Sequence, residues 1–557
     1  MAYEDILAAV DAVRLMDSVR AICTGERLSN EAEVRSFDVL EKLFTDAGCR
    51  VTREALPGYV STPEGAAFEA GGIAYEVLTH PMTPSADGLE ADLVYVPVDR
   101  TGSASAEEVS GRIVLTDGLA MEPVVRALED RGAAGVVFIT GEEIHNMIVS
   151  RVWGSPTPET LHDYVGIPVA SLSFGDGSRL RARLSEAGGT LPARLSTRVE
   201  SRWTEIPVIT AEIRGADEDF VMVTEHVDSW GLGALDNASG NACAVELARI
   251  LAPLASDMRR SVRFVLWSGH SHGRYAGSTA WCDAHFEELE RHCLLNVNSD
   301  CLGGRGATVM TESPAMASTR GLARTALREA AGVTDWRGCR FSRSCDQSFW
   351  GAGVPSIFSQ VSEQPPFEGA AADAFGKMFG SGRTGGFGAW WHTRTDTPDK
   401  LDPENLARDV RVFASVLAHA LFDERLPVDA AAEVLELRDE LKAWQEKAGD
   451  SLDLSEVLAR LDLLAEALKA AARSDDPKRF EKRSRRVLSE IIPLAYVEGS
   501  VYSHDEALRA PPVPMLRLVD ELATLSGHER NAALVSLRRV VNRLKAGAAR
   551  ALDVARA

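Results

Sequence analysis

The apolar run Phe220-Val-Met-Val-Thr-Glu225 delivers His226 and, two residues later, Asp228. A loop follows, and Asp236-Asn237 then opens an Ala-rich helix. Histidine nitrogen and carboxylate oxygen at the exit of one strand can meet at one point. That donor set suits a divalent cation, zinc first. Two later segments carry the same residue types: Asn298-Ser-Asp300 after the apolar run 294–297, and His392-Thr-x-x-Asp396-Thr-Pro398. Taken singly, each has an ordinary explanation, since a strand-end histidine often packs in a core and Asp236 suits a helix N-cap. Taken in order, they describe a metal site.

The ordered set resembles the zinc aminopeptidase and carboxypeptidase family that includes glutamate carboxypeptidase and the transferrin receptor. The resemblance runs over roughly residues 1–421. It implies that His226, Asp236, Asp300 and His392 are metal ligands, that Asp236 bridges two zinc ions, and that Asp228 orients the His226 imidazole. Two such ions clamp an attacking water and the oxyanion it forms.

The resemblance breaks at one place. After the strand 262–267 the family has two adjacent glutamates, a general base and a metal ligand. Here the segment reads Trp267-Ser-Gly-His-Ser-His-Gly273, with one extra residue before Gly277-Ser278. His270 and Ser271 occupy the glutamate positions if aligned from the left, Ser271 and His272 if aligned from the right. Imidazole can bind a metal or act as a base near neutral pH, so His270 and His272 are candidate ligands and His270 a candidate catalytic group. Of the two, His270 is favoured, because it follows the strand end and Gly269 lets the chain turn there. A centre this rich in nitrogen also admits copper or iron, and it holds one or two ions.

Three functions follow. The leading expectation is a metallopeptidase-like hydrolase that attacks an amide or peptide bond with water. The second is an inactive binding or scaffold protein of the same fold. The third takes Gly269-His-Ser-His-Gly273 as a G-x-S-x-G elbow, with Ser271 as the nucleophile of a serine hydrolase. Asp346-Gln347 resembles the family's Ser-Asp-His segment with its histidine replaced, which implies altered specificity. The Gly-rich stretch 368–388 reads as a surface loop or a lid, from which Arg383 would meet a substrate carboxylate.

Elements must carry these residues to one place. From about 201 to 426 strands and helices alternate, and the runs at 221–223, 262–267, 294–297 and 356–358 are apolar enough for central strands. This predicts an α/β fold with a doubly wound, mostly parallel sheet and ligands at its carboxyl edge. Residues 1–70 form the first part of that domain. Residues 71–200, with short strands split by Gly, Pro and Asp, resemble the family's protease-associated insert and predict a β-rich unit. Residues 427–557 predict helices with apolar stripes at 457/461/464/468 and 534/537/541/544. The resemblance implies that this helical domain dimerises, and the basic run 478–486 reads as a solvated helix face.

Composition limits the partners. The chain has 557 residues and a formal net charge of −22, which repels nucleic acid and anionic membranes. Its start, Met-Ala-Tyr-Glu-Asp, does not read as a signal peptide. Its eight cysteines form no C-x-x-C pair. The expected setting is the cytoplasm, with a peptide or small amide as substrate and a homodimer as the assembly.

Overall fold

A computed structural model describes residues 3–341, 343, 345–379 and 386–557. Its centre is a mixed sheet in the order Ser356–Ile357, Cys293–Asn298, Phe220–His226, Ser261–Trp267 and Leu191–Ile213. The first four strands are parallel to one another. Phe220–His226 is buried at all seven positions, as a strand covered on both faces must be. Ser239–Leu251 and Glu31–Asp46 pack on this sheet, and Ala12–Ile22 packs against both of these helices. Asn30 caps the last of these through the backbone N–H of Glu33. This is the α/β architecture that the alternating pattern predicts.

Two long strands, Arg50–Ala70 and Leu191–Ile213, pair antiparallel from Arg50↔Glu212 to Ala70↔Ala193 and carry the sheet outward. The boundary expected at 200/201 therefore falls inside a strand. The outer portion is not β-rich alone. Ala86–Tyr95, Ile113–Asp117, Gly135–Ile139 and Val169–Leu172 are parallel neighbours, and Ala106–Val109, Glu122–Glu129 and Phe174–Glu186 are helical. Parallel pairing requires a crossover, and helices supply it. Short turn-like breaks between the strands hid those helices.

Four helices, Ala430–Ala448, Ser455–Ser474, Pro477–Tyr496 and Gly527–Arg556, build the C-terminal part. Val457, Leu461, Leu464, Leu468, Leu537, Val541 and Leu544 are all buried within this one chain. These stripe residues thus have a covering partner in the chain itself, while Leu534 is only partly buried. The basic run 478–486 is a solvated face in part: Lys478, Arg479, Lys482 and Arg486 are exposed, whereas Arg483 and Arg485 are buried. Arg485 is buried and donates to the carbonyl oxygens of Leu289, Ala352 and Gly353. It pins the helices to the α/β core instead of facing solvent. Cys23, Cys49, Cys243, Cys282, Cys293 and Cys301 form no disulfide. Among the described residues no helix is long and apolar enough to cross a membrane.

Candidate metal centre

His226 ends its strand, Asp300 follows Cys293–Asn298 by two residues, and His270 follows Ser261–Trp267 by three. All three sit at the carboxyl edge of the parallel strands, where open α/β sheets collect ligands. The loop from 227 to 236 is shaped by Arg27, a fully buried side chain from the N-terminal part. Its guanidinium donates to the carbonyls of Val227 at 2.6 Å, Leu232 at 2.7 Å and Gly233 at 3.2 Å.

Each ligand histidine has one nitrogen fixed by a carbonyl. His226 Nδ1 donates to the Asp228 backbone oxygen at 3.0 Å, and His392 Nδ1 donates to that of Asn146 at 2.8 Å. Such partners set the tautomer and leave Nε2 with the lone pair. His226 Nε2 then faces Asp236 Oδ1 at 3.0 Å and Asp300 Oδ1 at 3.7 Å, while His392 Nε2 faces Asp236 Oδ2 at 3.1 Å. Asp236 thus offers one oxygen to each histidine.

Despite these short approaches, His226 Nε2, Asp236 Oδ1 and Asp300 Oδ1 are buried and make no hydrogen bond. Lone pairs that converge without a donor between them fit a cation, because buried polar atoms are otherwise paired. The electrostatics agree. Burial works to lower His226, but the carboxylates of Asp228, Asp236 and Asp300 raise it well above the usual histidine value. Burial works to raise Asp236, but His226 and His392 hold it below the carboxylate range. A field that favours positive charge on imidazole also favours a divalent ion. Metal-ligating geometry extends to His270, which groups with His226 and Asp300, and to Cys301, which groups with Asp236 and Asp300.

The altered turn separates its residues. His270 lines a cavity of about 430 Å³ with Asp236, Asp300 and His392. Its ring stacks on His226 with centroids 3.8 Å apart and planes 11° from parallel. His272 does not serve as a ligand here, which corrects the sequence expectation. It is fully buried, its Nδ1 meets Asp228 Oδ2 at 3.0 Å, and its Nε2 meets Ser29 Oγ at 2.7 Å. It does not line the cavity that His270 lines.

Ser271 is also buried, and its backbone N–H donates to Asp228 Oδ2 at 2.6 Å. The nitrogens of His392 face Asn146 O and Asp236 Oδ2, an arrangement that speaks against its serving Ser271 as a base. Asp228 itself does more for the turn than for His226. Its carboxylate accepts from His270 N, Ser271 N and His272 Nδ1, while its Oδ1 stays 3.7 Å from His226 Nδ1. Burial would raise Asp228, but its contacts with His226 and His272 hold it well below the usual carboxylate range.

Arg383 lies outside the described residues. Part of the stretch expected to be a loop is the helix Ala370–Phe379, whose Ala370 N–H donates to Glu142 Oε1. Several site residues had no local signal. Arg27 and Asn146 act on ligands about 200 or more residues away. Asn146 and His392 also pair through the Asn146 N–H and the His392 carbonyl at 2.8 Å, so the insert helps to place a ligand. Asp396 was visible only as part of the His392-Thr-x-x-Asp396 motif. Glu363, in the cavity wall, was not anticipated.

Residues 208–417 match the model for peptidase family M28. A glutamate carboxypeptidase 2 homolog from Caenorhabditis elegans is 24% identical over 262 residues, which is 43% of this chain and 32% of that protein. The chain therefore spans about a third of that relative. Aminopeptidase YwaD from Bacillus subtilis (strain 168) is 23% identical over 410 residues, covering 72% of this chain and 78% of that protein. Among solved structures, the aminopeptidase from Aneurinibacillus sp. strain AM-1 superposes with a TM-score of 0.55 at 20% identity, covering 77% of this chain and 98% of that one. A peptidase M28 precursor from Shewanella amazonensis SB2B gives 0.58 at 21%, covering 74% and 94%.

Proposed function

We propose, from the M28-type peptidase domain that residues 208–417 form, that this chain is a metal-dependent hydrolase of amide bonds at peptide ends or in small molecules. The observation that carries it is the convergence of the unpartnered His226 Nε2, Asp236 Oδ1 and Asp300 Oδ1. His226, Asp236, Asp300 and His392 would hold the metal, and His270 would take a glutamate's place if the turn aligns with the family from its left end. Zinc is the first choice, because the donors are imidazole and carboxylate and a structural neighbour is titled a zinc aminopeptidase. When bound, a divalent ion supplies Lewis-acid polarisation of the scissile carbonyl and acidifies water.

The chain's own residues do the remaining work. Asn146 and the Asp228 backbone accept Nδ1–H of the two ligand imidazoles and keep them aimed. Arg27 and Asp396 hold the Asp236 loop. Met147 and Ile148 from the insert, Trp391 beside His392, and Ala510 from the C-terminal part line the cavity. Cys23, Cys49, Cys243, Cys282, Cys293 and Cys301 form no disulfide, which supports a reducing compartment.

The test is metal content and hydrolysis in the purified full chain. Bound zinc near stoichiometric amounts, together with release of aniline from an aminoacyl-anilide panel, is the expected result. Both should be lost in His226→Ala. Zinc uptake without cleavage of any amide in a broad peptide panel would favour the non-catalytic binding protein. A chain that takes up no divalent ion would end the proposal.

A further inference from the structure

His270 is held on three sides. The His226 ring lies parallel to it at 3.8 Å, Tyr275 meets it edge-on at 4.9 Å, and its backbone N–H donates to Asp228 Oδ1 at 3.1 Å. The fourth contact is to Asp346, whose Oδ2 lies 2.6 Å from His270 Nδ1. The side chains are 12% and 1% exposed, so this pair is shielded from solvent.

The backbone is bent to present Asp346. Cys345 and Asp346 adopt left-handed φ values of 54° and 53° in succession, a conformation uncommon outside glycine. The segment is then anchored by Ser348. Its N–H donates to the Asp346 carbonyl, and its hydroxyl meets Trp153 Nε1 at 2.9 Å and Ser278 Oγ at 2.8 Å. Two residues in an unfavourable region persist only where their surroundings over-determine them.

We infer that Asp346 is the positioning residue of the altered centre: it accepts Nδ1–H of His270 and so makes that ring a further nitrogen ligand beside His226 and Asp300. The inference rests on the metal centre proposed above. With Nδ1 protonated and donating, the lone pair of His270 sits on Nε2. A ring nitrogen of His270 already lies within 4.8 Å of ligand atoms of both His226 and Asp300. Parallel rings can aim in-plane lone pairs to the same side, so the stack is compatible with both imidazoles serving one cluster. A carboxylate behind a ligating histidine fixes its tautomer and raises its basicity. The centre would thus replace an anionic ligand by a neutral one while keeping a carboxylate one bond-length further out, across a hydrogen bond.

The test compares zinc-loaded full-length wild type with His270→Ala, Asp346→Ala and the isosteric Asp346→Asn. Zinc X-ray absorption counts imidazoles, chelator competition gives the Kd, and circular dichroism confirms the fold. His270→Ala should lose one imidazole from the count. Asp346→Ala should weaken zinc about 10–100-fold, and Asp346→Asn should fall between it and wild type, since the amide oxygen still accepts Nδ1–H without the charge. If zinc binds the wild type but the imidazole count is unchanged in His270→Ala, or the Kd is unchanged in both Asp346 variants, the inference is overturned while the metal centre stands. If the wild type takes up no zinc, both fall together.

Discussion

Asp396 takes the backbone N–H of Asp236 on Oδ2 at 3.0 Å, and its other oxygen takes that of Leu235 at 2.8 Å. Asp396 lies four residues beyond His392, so the segment that supplies one histidine also sets the carboxylate which faces it. Burial pushes Asp396 up to about 7, against the two N–H groups and Arg27, which lower it. Asp396→Ala leaves two buried donors unpaired and should cost on the order of 1–3 kcal/mol for each. Asp396→Asn keeps one good acceptor and should cost less. Urea denaturation of the two variants checks the order, and zinc retention should follow it.

Metal binding should stabilise the fold. The centre joins strand ends, the Asp236 loop and the His392 segment, none of which can converge in the unfolded chain. At a free zinc concentration of about 100 times Kd, mass action adds roughly 2.7 kcal/mol. Dialysis against a chelator should lower the unfolding temperature and zinc should restore it, whereas His226→Ala and His392→Ala should show little response. An unfolding temperature independent of zinc in the wild type would count against the centre.

The turn after Gly269 should respond unevenly to alanine. Ser271→Ala should leave zinc content and hydrolysis close to wild type. His272→Ala strips a partner from both Asp228 and Ser29 and should cost on the order of 2–3 kcal/mol without removing a ligand. Thermal melts and zinc assays on the folded fractions separate these effects. Complete loss of hydrolysis in Ser271→Ala, with zinc retained, would restore the serine nucleophile.

Arg485 should couple the helical part to the α/β core. Its guanidinium is buried against three carbonyls of the core, and hydrogen bonds to charged groups contribute about 1.5–3 kcal/mol each. Arg485→Ala should destabilise the chain by at least about 3 kcal/mol and open the connection after residue 426 to limited proteolysis. Protease resistance equal to wild type would show that apolar packing alone holds the two parts.

His419 should make stability depend on pH. Its Nδ1 meets Asp423 at 2.9 Å and its Nε2 meets Glu329 at 3.1 Å. Burial lowers its pKa, but the two carboxylates outweigh burial and raise it above the ordinary 6.5. A raised value in the folded state means that the folded chain binds the proton more tightly. The stabilisation is fully present below pH 6.5 and is lost as pH rises through the raised value. Denaturation of wild type and His419→Gln across pH 5.5–9 should converge at the alkaline end and separate at the acid end.

The ligand residues were legible in the sequence because each lies next to a local signal. Apolar runs of strand length mark where His226, Asp300 and the altered turn leave the sheet, and an Ala-rich helix follows Asp236. What aims those residues was not legible, because it comes from far along the chain: Arg27 for the Asp236 loop, Asn146 for His392, Asp346 for His270 and Ser29 for His272. No periodicity links residues that far apart, so only the packed fold brings them together. The choice between His270 and His272 shows the difference most clearly. The two alignments of Gly269-His-Ser-His-Gly273 differ by one residue, and local sequence has no term that separates them. The three donors that Asp228 accepts fix the path of the turn, which leaves His270 on the cavity wall and His272 off it. Likewise the apolar stripes of the last helices were evident, but which surface of this chain buries Val457, Leu461, Leu537 and Leu544 was decided only by how those helices pack on one another.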